Sequence, residues 1–357
     1  VEIDKPGSKK KRKLGIPIII DRIVSQSMNV VLMALWEPEF TEGNFGFRPG
    51  KSQHQAIGRM REIVKAGYKW SVSIDIENFF DEIPHSLVMK LMRRKIKEER
   101  MITLIARALK SGVVEEGQYH PTPKGSPQGA PVSPVISNIV LNELDQELEK
   151  RGHCYCRWAD DFLIFVKSER AGNRVMDGIS ETIERELGLR VNKEKSKVAE
   201  TWKAEFLGFQ ILGSKIKISK KSVKRLKEKI RNVTKRNNPV SMKQIVEELN
   251  KYLRGWMGYY QVQEYKRVLQ ELDWFIRSRL RSMQLKKWKK PRKFQRIMIN
   301  LGHDVDKSKR TWVKMTKWQS IHRADVKFVL NNKWFKQLGL VFLSDYINRN
   351  LELPFSC

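Results

Sequence analysis

The sequence predicts an α+β fold over about the first 220 residues, followed by a separate all-α region. In the first part, apolar residues recur at helical spacing in several segments, and short β-like runs lie between them. Beyond residue 220 the composition changes to helix formers, lysine, arginine and tryptophan, and six of the ten tryptophans lie there. Alternating helices with a few strands indicate an α+β domain, and the later composition favours a helical one.

The N-terminal elements can be predicted from apolar periodicity and turn residues. Residues 15–20 form a β-like apolar run, and apolar residues then recur at helical spacing over 21–35, with Asp21 as the predicted cap. The elements predicted next are a loop over 43–50 that is rich in glycine and proline, a helix over 52–66 and a strand over 70–76.

The middle of the chain predicts further helices and two hairpins. In the helix predicted over 134–151, apolar residues lie along a single face. The predicted elements are, in order, helices within 86–112, a loop over 125–129, a helix over 134–151, a hairpin around Asp160, a helix near 170–187, a short strand near 189–191 and a hairpin over 205–218.

The last third of the chain predicts amphipathic helices with basic surfaces. The apolar residues of one such helix are Leu249, Tyr252, Leu253, Trp256, Tyr259 and Tyr260. The residues from Trp334 to Cys357 predict a small terminal module. Most of the tryptophans are expected to pack in the core, because this side chain is usually buried.

The net charge of +30 predicts a polyanionic partner, chiefly nucleic acid. Residues 221–357 hold 33 Lys and Arg against 11 Asp and Glu, a net charge of +22, which leaves +8 for residues 1–220. The C-terminal region is therefore the main electrostatic footprint. Three cysteines without paired CxxC units argue against a disulfide framework or a zinc site. No signal peptide or long uncharged apolar stretch is evident, which favours a soluble, cytoplasmic protein without a membrane partner.

Two adjacent carboxylates, Asp160 and Asp161, lie between the β-like runs 155–157 and 162–166. These flanks predict a hairpin with the acids at its tip. An Asp-Asp pair in a turn is more often a solvated loop, but near a packed sheet a divalent cation compensates such charges. The pattern alone leaves both interpretations open.

A further carboxylate, Asp75, interrupts the apolar run 72–76. An acid at the end of one strand and an acid pair in a later strand turn can complete a shared metal site. Phosphoryl transfer with two magnesium ions uses such oxygen ligands. Asp75 and Asp160 are the predicted direct ligands, with Asp161 in support.

These segments occur in an order that resembles the motif series of reverse transcriptases. The series is Asp75-Ile76 with Phe79-Phe80-Asp81, then Ser126-Pro127-Gln128-Gly129, then Ala159-Asp160-Asp161, then Phe206-Leu207-Gly208-Phe209. The segments 46–49, 187–196 and 253–260 extend the resemblance to bacterial group II intron reverse transcriptases, or maturases, of the compact class without an endonuclease domain. The resemblance implies a right-hand polymerase with partial fingers over 1–70, a palm with interleaved finger elements over 71–220, a helical thumb or maturase domain over 221–315 and a small DNA-binding module over 316–357.

The resemblance also implies roles for individual residues. It implies catalysis and binding of two Mg²⁺ by Asp75, Asp160 and Asp161, with the Ile76 carbonyl as a further ligand and Lys195 as the acid that protonates pyrophosphate. The implied nucleotide-binding residues are Lys5, Arg12, Phe80, Gln128 and Gly129, and the implied primer grip is Phe206, Leu207, Gly208 and Phe209. Read without the resemblance, Phe80 is ordinary core, Lys195 is a surface lysine and Arg12 belongs to a solvated basic loop.

The implied nucleic-acid contacts are Arg48, Arg254, Lys286, Lys287, Lys289 and Lys290, since basic side chains neutralise phosphates. The implied partners are group II intron RNA, an RNA template/DNA primer duplex, deoxynucleoside triphosphates and target DNA. Trp158 departs from the tyrosine that the family usually has there. The leading hypothesis is an RNA-directed DNA polymerase that also assists intron splicing. The alternatives are an RNA-binding splicing cofactor with little polymerase activity, and a reverse transcriptase recruited to phage defence or mutagenic retrohoming.

Overall fold

The structure, a computed structural model, describes residues 2–4, 11–13, 15–115, 117–126, 129–288, 291–300, 304 and 321–346. The chain divides into two compact units, Val1–Ser214 and Lys215–Cys357. The first unit is mixed helix and sheet and the second is almost wholly helical, so the predicted fold class is confirmed. The finer domain limits at residues 70 and 315 stay predictions.

The first unit contains nine strands and seven helices within the described residues. They are β1 (Glu2–Asp4), β2 (Lys11–Lys13), α1 (Ile19–Trp36), α2 (Gln53–Lys65), β3 (Trp70–Ser73), α3 (Phe79–Glu82), α4 (His85–Lys95), α5 (Glu99–Leu109), β4 (Val113–Glu115), β5 (Gln118–His120), α6 (Ser133–Lys150), β6 (Cys154–Trp158), β7 (Asp161–Val166), α7 (Glu169–Glu186), β8 (Lys197–Glu200) and β9 (Phe209–Leu212).

A four-stranded antiparallel sheet with the order β6-β7-β3-β8 organises this unit. Every residue of β7 after Asp161 is buried, which explains why the sequence there is a continuous apolar run rather than an alternating one. Helix α7 contacts β3, β7 and β8, while α6 contacts β6. The side chains between these helices and the sheet form one core.

Two details of the N-terminal region differ from the prediction. The apolar run 15–20 is not a strand, because residues 15–18 lack regular structure and Ile19 already begins α1. Asp21 is not the cap of α1 but lies in its first turn, where a carboxylate favours the helix dipole. By contrast, Ser52 caps α2 in a capping box with Gln55, as the S-x-x-Q spacing indicates.

Helix α1 is apolar on its exposed side as well as on its buried side. Ser25, Met28, Leu32 and Trp36 are buried, whereas Ile19, Ile20, Ile23, Val30, Val31 and Leu35 are exposed. The segment Ile19–Glu39 is the one described helix long and apolar enough to cross a membrane by length and composition, with 22% of it buried. Core helices of soluble proteins satisfy the same criterion, so the expectation of no membrane partner stays a prediction.

The second unit consists of one strand and six helices within the described residues. They are β10 (Lys215–Ile218), α8 (Lys220–Val233), α9 (Met242–Tyr260), α10 (Lys266–Lys287), α11 (Pro291–Asn300), α12 (Ala324–Val329) and α13 (Asn332–Gln337). Helices α8, α9 and α10 share a core with Phe335, Leu340, Phe342 and Leu343. The described part of the predicted terminal module therefore packs into the helical core.

Two polar side chains fasten the segment 339–344 to these helices. Asn250 of α9 donates to the Gly339 carbonyl at 2.7 Å and accepts from the Val341 N–H at 3.0 Å. Asp273 of α10 accepts from the N–H groups of Leu343 and Ser344 at 2.8 and 3.0 Å. Burial raises the pKa of Asp273, and these hydrogen bonds act in the opposite direction.

Candidate active site

The acid pair lies at the tip of the β6–β7 hairpin, as predicted. Trp158 pairs with Asp161, so Ala159 and Asp160 form a two-residue loop. Ala159 has a φ of 56°, a conformation that hairpin loops of this length require and that glycine normally supplies. Asp160 is half-buried and Asp161 is exposed. The turn thus holds two carboxylates at the edge of a packed sheet.

The sheet register brings Asp75 to the same place. In the β3–β7 ladder, Ser73 pairs with Leu163. The ladder ends at this pair, near the start of β7, so Asp75 follows β3 at the same end of the sheet at which the Ala159–Asp160 loop lies. The two acidic segments that the sequence singled out, 85 residues apart, therefore lie at one end of the sheet.

A short turn over residues 192–196 clamps Asp75. The Asp75 N–H donates to Ser196 Oγ at 3.0 Å, and its carbonyl accepts from the Asn192 N–H at 2.8 Å. The Lys195 ammonium lies 3.3 Å from Asp75 Oδ1. The proposed acid is thus beside a proposed metal ligand. Ser196 was missed by sequence reasoning, because a serine in a polar turn is not distinctive.

After Asp75 the chain turns sharply into α3. Ile76 forms an isolated antiparallel bridge with Val191. In this bridge the Glu77 N–H donates to the Arg190 carbonyl, and the Asn192 N–H donates to the Asp75 carbonyl. The bridge does not use the Ile76 carbonyl. Asn78, with a φ of 44°, then redirects the backbone.

Phe80 lies next to residues 125–126, which precede the implied nucleotide-binding residues Gln128 and Gly129. It is half-buried and packs edge to face on Phe79, with ring centroids 5.3 Å apart. Its carbonyl accepts from the Ser126 N–H at 2.7 Å. A Cβ at Gly125 would lie 2.7 Å from the Asp81 carbonyl oxygen, so only glycine allows this approach. Gly129 is exposed, with a φ of 108°.

A buried polar network supports the hairpin from below. The Arg157 side chain is fully buried and its Nε donates to Asp145 Oδ1 at 2.8 Å. Its Nη1 donates to Asn138 Oδ1 at 3.0 Å and to the Ala159 carbonyl at 2.9 Å. Asn138 also donates to the Gly46 carbonyl at 2.7 Å. Asp145 lies among apolar residues of α6, and Arg157 lies within the buried strand β6. A charged residue at such a position was the sequence clue to a buried charged pair.

The loop over residues 43–48 lies along β6 and completes this support. Asn44 forms a parallel bridge with Arg157, and a Cβ at Gly46 would lie 2.4 Å from the Ala159 nitrogen. The Phe47 ring lies 6.4 Å from that of Trp158, tilted by 41°. The unusual Trp158 therefore sits between the hairpin tip and this loop.

The predicted nucleic-acid contact at Arg48 is corrected by the structure. Its side chain is only 5% exposed and forms an ion pair with Glu37 at 2.8 Å. Nη1 donates to the carbonyls of Thr41 and Asn44 at 2.6 and 3.0 Å. The guanidinium is thus committed to holding the loop over 43–48, and it has no exposed face for a phosphate.

The predicted primer grip is a tight turn. Phe206 and Phe209 exchange two backbone hydrogen bonds of 3.0 and 2.9 Å, and both side chains are fully buried. Leu207 and Gly208 have φ values of 50° and 78°, the two positive values of a type I′ turn. Contact with a primer stays a prediction. Leu207 and Gly208 are the residues of this turn that could make the contact, because they are only half-buried.

Backbone strain within the described residues coincides with these motifs. Positive φ values occur at four non-glycine residues, namely Phe47, Asn78, Ala159 and Leu207. Each belongs to a segment that the sequence singled out for function. A residue held in this conformation costs roughly 1–3 kcal/mol, and such residues cluster at functional sites.

Other predicted residues belong to the second unit or lie outside the described residues. Arg254 is exposed on α9. The Lys286 and Lys287 ammonium groups contact Asn237 and the Val240 carbonyl. Lys5, Gln128, Lys289 and Lys290 lie outside the described residues, and so does the side chain of Arg12, whose backbone belongs to β2.

The donor set at the sheet end fits a divalent ion that substrate helps to bind. No three His, Cys, Asp or Glu side chains of the described residues form a group that could hold a metal by themselves. Magnesium usually takes one or two carboxylates and completes its shell with phosphates and water. Asp75 and Asp160-Asp161 offer such oxygens. They match a site completed by a nucleotide, not an all-protein cage.

Comparison with known proteins identifies the family. Residues 3–211 match the family of reverse transcriptases (RNA-dependent DNA polymerases), whose members use a divalent metal, and residues 223–300 match the group II intron maturase-specific domain. Protein YkfC of Escherichia coli K12 is 30% identical over 227 residues, covering 53% of this chain and 60% of YkfC. The group II intron-encoded protein LtrA of Lactococcus lactis subsp. cremoris is 38% identical over 124 residues, covering 35% of this chain and 20% of LtrA.

Among solved structures, the similarity to the telomerase of Candida albicans in complex with a fragment of telomeric RNA covers 93% of the present chain and 57% of the telomerase chain. The two chains are 13% identical, with a TM-score of 0.45. A likeness this distant carries no argument. The chain spans less than two thirds of the length of these relatives. The resemblance found in the sequence is nevertheless confirmed, because the reverse transcriptase match alone covers more than half of the chain. The chain belongs to the reverse transcriptase family and carries a group II intron maturase-specific domain.

Proposed function

We propose that this protein is an RNA-directed DNA polymerase that extends a DNA primer on an RNA template, and that it binds the RNA of a group II intron to assist splicing and retrohoming. The observation that supports the polymerase activity is that Asp75 and the Asp160-Asp161 pair lie at the same end of the antiparallel sheet. Two sequence-distant acidic segments at one end of a sheet suit metal-assisted phosphoryl transfer.

In this proposal each residue has a defined task. The chemistry supplied by two bound magnesium ions is activation of the primer 3′-hydroxyl and neutralisation of charge on the phosphates. Asp75, Asp160 and Asp161 would hold those ions, with the Ile76 carbonyl as a further ligand. Lys195 Nζ lies 3.3 Å from Asp75 Oδ1, and Lys195 is the candidate proton donor to the leaving pyrophosphate. The Phe80 ring would exclude a ribose 2′-hydroxyl from the nucleotide site.

The second unit supports the RNA-binding part of the proposal. Residues 221–357 carry a net charge of +22, and a cationic surface of this kind neutralises phosphates. The maturase-specific domain matched over 223–300 indicates RNA binding. Intron RNA, the template/primer duplex, deoxynucleoside triphosphates and target DNA are the proposed partners, in a bacterial cytoplasm.

The decisive experiment is primer extension on poly(rA) with oligo(dT), dTTP and Mg²⁺. We expect the wild-type protein to extend the primer, and Asp160→Asn to reduce extension by at least roughly 100-fold because a metal ligand is lost. Asp177→Asn, on the exposed side of α7, is the matched control and should extend normally. Asp160→Asn should also bind RNA as tightly as wild type does.

The same experiment separates the alternative function. Wild-type protein that binds structured RNA but gives no extension with Mg²⁺ would refute the polymerase and favour the splicing cofactor. Normal extension by Asp160→Asn would show that the hairpin tip is not the metal site.

A further inference from the structure

A charged pair without access to solvent lies directly beneath the proposed metal site. Both Arg157 and Asp145 have fully buried side chains. The guanidinium uses Nε and Nη2 on the two Asp145 oxygens and Nη1 on Asn138 and on the Ala159 carbonyl. It therefore joins the middle of helix α6 to the turn that carries the acids.

Stability alone is a poor explanation for this pair. The desolvation of two buried charges offsets most of their attraction, so a well-packed apolar pair often does as well. Complete burial raises the pKa of Asp145, and the Arg157 guanidinium acts in the opposite direction. What an apolar pair could not supply is the hydrogen bond from Nη1 to the Ala159 carbonyl.

That hydrogen bond acts on a strained peptide. Ala159 has a φ of 56°, and its carbonyl belongs to the peptide group whose nitrogen is that of Asp160. Fixing the plane of this peptide limits the directions in which the Asp160 side chain can leave the backbone. Asn138 links the same guanidinium to the Gly46 carbonyl, so the turn is held against the loop over 43–48 as well.

We propose that Arg157, oriented by Asp145, is a positioning residue that aims the Asp160 carboxylate at the metal through the Ala159 peptide. This inference rests on the proposed function for the identity of the site. Lysine cannot reproduce the effect, because a single ammonium group cannot serve Asp145 in a bidentate manner and also reach the Ala159 carbonyl in a planar fork.

The test compares Arg157→Lys with Arg151→Lys in the full-length protein. Arg151 follows the same helix and pairs with Glu147 at 2.7 Å on its exposed side, away from the turn. Manganese binding, followed by electron paramagnetic resonance with dTTP present but without primer and corrected for the manganese that free dTTP binds, reports on the site independently of turnover. Primer extension gives the Mg²⁺ concentration for half-maximal rate, kcat and the KM for dTTP.

For Arg157→Lys we expect metal affinity to fall roughly 10-fold or more, the usual effect of losing a group that orients a ligand. Extension should show a matching rise in the Mg²⁺ requirement and a lower kcat, with little change in the KM for dTTP. Arg151→Lys should match wild type in all of these. Equal metal affinity for wild type and Arg157→Lys would overturn the proposal. It would also be overturned if the reduced manganese binding of Arg157→Lys were fully explained by a smaller fraction of folded protein.

A second variant covers the case in which Arg157→Lys does not fold. The double substitution Arg157→Met with Asp145→Leu removes both charges and leaves no unpaired buried ion. We expect it to fold but to bind manganese weakly, whereas wild-type affinity in this variant would refute the positioning role. Failure of wild-type primer extension would refute the polymerase, not this inference, since metal affinity is measured separately.

Discussion

Gly46 provides the sharpest test of how the β6–β7 hairpin is supported. A Cβ added there would lie 2.4 Å from the Ala159 nitrogen and 3.1 and 3.2 Å from the Trp158 carbonyl carbon and Cα. All three atoms are backbone, so no side chain can rotate away to make room. Gly46→Ala should therefore push the loop and the hairpin tip apart.

The size of the effect follows from this geometry. Real Cβ atoms essentially never lie closer than 3.0 Å to another heavy atom. The distance from the new Cβ to the Ala159 nitrogen must therefore increase by about 0.6 Å from 2.4 Å. The loop cannot simply withdraw, because Gly46 donates to Asn44 at 3.1 Å and accepts from Asn138 at 2.7 Å. Overpacking of this kind costs about 1–3 kcal/mol. Since a 1 Å misplacement of a reacting group costs roughly 100-fold in rate, we expect kcat to fall roughly 10-fold.

The assay is primer extension together with thermal unfolding, with Gly178→Ala as the matched control. Gly178 lies in α7 of the same unit, and a Cβ there would meet only Arg151 Nη1, at 3.3 Å, which is the end of a flexible side chain. Gly178→Ala should leave kcat unchanged and not lower stability. A Gly46→Ala variant with the kcat and melting temperature of Gly178→Ala would refute the reasoning.

Two further predictions concern the helical unit. Gly255→Ala in α9 should raise the free energy of unfolding by about 0.5–1 kcal/mol in denaturant titrations, because a Cβ there meets nothing within 4 Å; a loss of stability would contradict this. Asp273→Ala should destabilise the segment 339–346 by roughly 2–4 kcal/mol, because the Leu343 and Ser344 N–H groups lose their acceptor. Hydrogen exchange should speed up in peptides that contain these residues, and unchanged protection would disprove the role of Asp273 as a fastener.

The candidate catalytic acids could be predicted from sequence because they contradict their surroundings. Asp75 and Asp160 interrupt or adjoin apolar strands, and acids are tolerated there only for a reason. The helix predicted over 52–66 depends on equally local signals, and it is observed as α2. Where the chemistry depends on neighbours in sequence, pattern and structure agree.

The two arginines show why the remainder could not be predicted. Arg48 and Arg157 are both buried, and nothing nearby in sequence reveals the acid with which either one pairs. Arg48 is held by Glu37, and Arg157 by Asp145 from a helix that precedes the strand. Burial of a charge depends on such tertiary partners. The apolar run 15–20 failed as a strand for a related reason, since no described strand pairs with it and the helix starts instead.

The sheet register also has a consequence for how this chain can change length. Side chains alternate along a strand, so one residue inserted between Ser73 and Asp75, or between Asp161 and Leu163, would turn a carboxylate to the opposite face. Insertions in the exposed hairpin of β4 and β5 would carry no such penalty. Among the descendants of this sequence, the spacing around the acids should therefore be preserved more strictly than the identity of the apolar residues between them.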